Sequence, residues 1–138
     1  MTEHPSPDLD AALVLGMAST AIPFAHSREE EAARWLRILR LQGEAGAALQ
    51  ALGVSEAPLE APLEQDEAEL RPPGADDIVV RVGDAAALAA ARRGAQCFGT
   101  TDVLVAVIDV YGSDFNNVLR AHGTDRDEVL ERLELLAA

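Results

Sequence analysis

The stretch Trp35-Leu36-Arg37-Ile38-Leu39-Arg40-Leu41 returns in pattern 69 positions later as Leu104-Val105-Ala106-Val107-Ile108-Asp109-Val110, and Gly43 falls on Gly112 at the same offset. With one extra residue, ALQALGV (48–54) matches VLRAHGT (118–124), so Leu49, Ala51 and Gly53 meet Leu119, Ala121 and Gly123. A chain that repeats in this way is built from two similar supersecondary units, and what one copy forms the other forms too. That constraint resolves an ambiguous run. Read alone, Val103 to Ile108 within GTTDVLVAVIDVYG suits a buried strand as well as a buried helix. Arg37 and Arg40 interrupt the first copy at helical spacing, so neither copy is a fully buried strand. The second is expected to be a central helix, N-capped by Thr100 or Thr101, its β-branched residues tolerated because packing overrides propensity.

The 138 residues, 49% of them hydrophobic, enclose one core, and a 4% aromatic content with abundant alanine favours closely packed helices. The formal charge of -13 repels a phosphate backbone, and no Lys/Arg stripe is present, so nucleic acid is not an expected partner. The start MTEHPSPDLD lacks the basic and apolar regions of a signal peptide, and no run is long enough for a membrane span, which reads as a soluble cytoplasmic chain. Cys97, the single cysteine, is read as a buried structural thiol, its neighbours Gln96 and Phe98 supplying nothing to lower its pKa.

Along the chain, Ser6-Pro7-Asp8 reads as a helix start, followed by Leu9, Leu13 and Met17 at four-residue spacing, with an end near Pro23. Ser27 and Glu30 form a capping box for a second helix that carries Trp35, Leu36, Ile38 and Leu39 inward and stops at Gly43. Ala47, Ala48, Leu49 and Leu52 follow in a short helix closed by Gly53. Residues 57–77 hold four prolines and many carboxylates, and read as an acidic linker with a short helix from Leu63 to Leu70. Beyond it, Asp84 is the expected cap of the helix AAALAAARRG, and Thr124 or Asp125 opens the last helix.

At these residues the chain resembles the N-terminal domain of the Clp ATP-dependent unfoldases, which is built from two Clp repeats. Ala25-His26, Trp35 to Leu39 and ALQALGV fit the first repeat; GTTDVLVAVID and VLRAHGTDRDEVLERL fit the second more closely. The resemblance implies an all-α, pseudo-twofold bundle of about eight helices in one domain, 1–138, with repeats at about 6–56 and 78–138. It further implies recognition of protein partners: a Clp substrate, an adaptor, or an unfoldase or protease component. The alternative is a decoy that sequesters a peptide-like small molecule. No GxxxxGK[ST] phosphate loop occurs, so no ATPase is expected; the chain reads as either a separated fragment or a free-standing copy of the recognition domain, and its ending just after a completed helix suits the second.

No enzyme, metal or cofactor is expected. His4, His26 and His122 have no i,i+4 partner, and no serine sits in a nucleophile elbow. The candidate partner-binding residues are Glu30, Glu31, Arg37, Arg40, Thr101 and Asp102. Glu30 and Glu31 are expected on an exposed first helical turn, where they favour the helix dipole. Arg34, Arg37 and Arg40 lie on successive turns, either paired with Glu30, Glu31 or Glu44 or forming a basic strip for an acidic partner. Relatives that recognise phosphorylated arginine do so through the glutamate of a Gly-Thr-Glu-His motif. Here Ala32 and Thr101 take that position, with Glu31 and Asp102 one residue away, so phosphoarginine binding is expected to be lost.

Overall fold

The computed structural model describes residues 5–54 and 77–137. They form seven α-helices: α1 (Leu9–Ala21), α2 (Arg28–Leu39), α3 (Gly43–Ala51), α4 (Asp77–Arg92), α5 (Thr100–Tyr111), α6 (Ser113–Ala121) and α7 (Arg126–Ala137). A 3-10 turn, Ile22–Phe24, links α1 to α2, and two-residue strands β1 (Ser6–Pro7) and β2 (Cys97–Phe98) pair in parallel. The all-helical bundle expected from the alanine-rich, repeating sequence is therefore present. The short helix expected at 63–70 lies outside the described residues.

The run that opened the argument is the hub. Helix α5 packs against each of the other six helices. Val103, Leu104, Ala106, Val107, Ile108 and Tyr111 are buried on it, while Val105, expected inside, is half-buried. Contact on several sides is what permits a nearly continuous run of apolar residues and outweighs the weak helix preference of valine and isoleucine. Trp35, Leu36, Ile38 and Leu39 of α2 are all buried, as the spacing required.

Two helix starts differ from the sequence reading. The N-cap of α5 is Gly99, not Thr100 or Thr101, because the Thr100 hydroxyl is engaged elsewhere: it accepts the Ala45 N–H of α3 at 3.1 Å. Asp84 does not open a helix either. Helix α4 begins seven residues earlier, at Asp77, since Ile78, Val79, Val82, Ala86, Ala87 and Ala90 make one continuous helical series of buried positions and leave Asp84 exposed in its middle.

Helix α1 starts where expected, but Asp8 rather than Ser6 is the cap, accepting the Ala11 N–H at 2.9 Å. Ser6 and Pro7 instead join β2, through Ser6 N–H to the Gln96 carbonyl (3.2 Å) and Asp8 N–H to the Phe98 carbonyl (2.9 Å). On that two-residue strand Phe98 turns inward. Cys97, its neighbour, turns outward, as alternation along a strand demands, so the expected buried thiol is exposed.

The linkers turn on glycine. Gly43 and Gly112 both have φ +59°, and Gly53 and Gly123 have φ +93° and +92°. At Gly112 ψ is -125°, a combination essentially confined to glycine. Gly46 is constrained by space: a Cβ there would stand 2.7 Å from the Arg40 carbonyl oxygen. Replacing Gly46 with alanine should therefore cost about 1–3 kcal/mol, measured by urea denaturation, even though alanine is the better helix former.

Candidate functional site

Arg37 and Arg40 lie at the C-terminal end of α2, and the other four of the six sequence candidates lie at the N-terminal ends of α2 (Glu30, Glu31) and α5 (Thr101, Asp102). At the first, Ser27 accepts the Glu30 N–H at 3.0 Å and Glu30 accepts the His26 N–H at 2.9 Å, so the capping box forms with its return bond one residue earlier than Ser27. Glu30 also pairs with Arg34 at 2.8 Å. Partial burial works to raise the Glu30 pKa, but the His26 N–H and the Arg34 guanidinium outweigh it and hold the carboxyl below its ordinary value.

A carboxyl that titrates lower in the folded state contributes stability fully above its unfolded pKa and loses it as the pH falls through the folded value. Glu30→Gln should thus cost under about 1 kcal/mol near pH 7 and nothing near pH 2, with urea denaturation at the two pH values as the measurement.

Glu31 corrects the expectation of an exposed first turn. It is 2% exposed and accepts the Tyr111 hydroxyl at 2.8 Å, while that hydroxyl accepts the Trp35 indole N–H at 3.0 Å. Burial, then the Glu31 carboxylate, push the Tyr111 hydroxyl well above the usual tyrosine range. Arg28 covers the cluster from outside, its guanidinium 4.9 Å from the Tyr111 ring centroid, bonded to Asp114 of α6 at 3.0 Å and to the Val110 carbonyl at 3.0 Å. Residues of α2, α5 and α6 are thereby tied together by charge-assisted bonds around one buried tyrosine.

The second end is built differently. Asp102 is buried, caps α5 by accepting the Gly99 N–H at 3.0 Å, and receives both terminal nitrogens of Arg93, the second at 2.9 Å. The bond to Asp102 raises the Arg93 pKa above the ordinary arginine value. Thr101 is half-buried beside it. Gly99 faces the N-terminal segment closely, since a Cβ there would stand 3.1 Å from Asp8 Oδ2.

The arginine strip does not assemble as a strip. Arg34 donates to the Ala21 carbonyl at 2.7 Å besides pairing with Glu30, and Arg40 donates to the Val54 carbonyl at 3.1 Å, leaving Arg37 exposed between them. Both end arginines are therefore satisfying carbonyls near helix ends, as cations at such positions do. Among the described residues no group of three His, Cys, Asp or Glu is placed to hold a metal ion, and no helix is long and apolar enough to cross a membrane.

The sequence reading missed Arg28, Arg93 and Tyr111. Tyr111 lies at a buried position of α5, and the only signal for it was its place one turn after Val107 and Ile108. The chain matches no protein-family model, no curated protein and no solved structure.

Proposed function

We propose that the chain is a non-catalytic recognition module of the Clp N-domain kind, two pseudo-twofold related repeats that bind a protein partner in protein quality control or its regulation. The observation that carries this reading is that the helix packing crosses over between the two halves. Helix α3 of the first half packs on α5 of the second, and α6 of the second on α2 of the first. The glycine pairs of the sequence repeat, Gly43 with Gly112 and Gly53 with Gly123, have matching φ angles as well. Each half thus completes the other, which favours a duplicated domain over two consecutive ones.

The test is capture from a cell extract by the immobilised chain, with bound proteins quantified by mass spectrometry. Enrichment of Clp substrates, adaptors or unfoldase and protease components is the expected result; no protein enriched over bare support would overturn the reading. Arg37→Glu is a clean probe of the exposed arginine, because Arg37 is not engaged in the carbonyl contacts made by Arg34 and Arg40. If the partner is acidic, this charge reversal should weaken capture by about tenfold or more, a change of about 1.4 kcal/mol.

Phosphoarginine itself should not bind. Ala32 is buried and carries no carboxylate, Glu31 is bonded to Tyr111, and Asp102 already holds the guanidinium of the chain's own Arg93. Calorimetry with free phosphoarginine is expected to show no saturable heat. Micromolar binding lost in Asp102→Ala, at a temperature where circular dichroism shows that variant to be folded, would show that the neighbouring carboxylate had taken over the role.

A further inference from the structure

We draw no further inference here: the strongest candidate, the exposed apolar face of α1 formed by Leu9, Leu13 and Met17, carries nothing, because Asp10, Ser19 and Thr20 interrupt the apolar surface of that helix and nothing in the structure shows what covers it.

Discussion

Ile108→Asp should unfold the protein or cost about 4 kcal/mol or more in urea denaturation. Ile108 is 2% exposed and lies on α5, the helix that touches all the others, so the new carboxylate has no route to solvent that does not part α5 from a neighbour. Two costs combine: the apolar contacts of the isoleucine are lost, and a polar group is buried without a partner. The group would escape part of the penalty by taking up a proton, so the variant should regain some stability as the pH is lowered, while the parent does not. Ile108→Val, which removes one methylene and adds no charge, should cost about 0.5–1.5 kcal/mol. A similar loss for both variants would place Ile108 at the surface and α5 elsewhere than at the centre.

The central helix was legible because two kinds of information agreed. The repeat linked the ambiguous run to a copy interrupted by arginines, and the buried positions of α2 and α5 then followed from helical periodicity. Periodicity failed where a helix is apolar on two faces. In α1, Leu9, Leu13 and Met17 share one face, and Ala11, Val14 and Ala18 the other; the smaller set won the core, where α2, α4 and α5 all press close. Hydropathy favours the larger side chains and has no term for the closeness of approach that alanine permits.

Capping was legible in kind and displaced in detail. Ser27 and Asp125 cap as read, the latter accepting the Glu128 N–H at 2.9 Å, whereas Thr100 caps the neighbouring helix α3 rather than its own. That bond joins positions 55 residues apart, and no local pattern encodes it. The same holds for the candidate site. Glu31 looked like a solvated first-turn acid because its acceptor role depends on Tyr111, 80 residues away, and Asp102 gave no sign of Arg93 because α4 and α5 must pack before the two meet.

Trp35→Ala should be the second most damaging single change, at about 3–5 kcal/mol by urea denaturation followed by far-ultraviolet circular dichroism. Trp35 is the chain's single tryptophan and is fully buried on α2, and its indole N–H donates to Tyr111. Truncation leaves a large cavity and takes one donor from a hydroxyl that must still bond to Glu31. Trp35→Phe separates the contributions, since it keeps much of the volume and loses the N–H; it should cost about 1–2 kcal/mol. Tyr111→Phe removes the hub itself and takes the hydroxyl donor from the buried Glu31, for about 2–3 kcal/mol. Because both changes remove the same indole–hydroxyl bond, the Trp35→Phe, Tyr111→Phe double variant should cost less than the sum of the single ones by 0.5 kcal/mol or more. Strict additivity would mean that the two rings only fill space. A shortfall would show that the bonds through the Tyr111 hydroxyl join α2 to the end of α5, and that the geometry at this helix start depends on them.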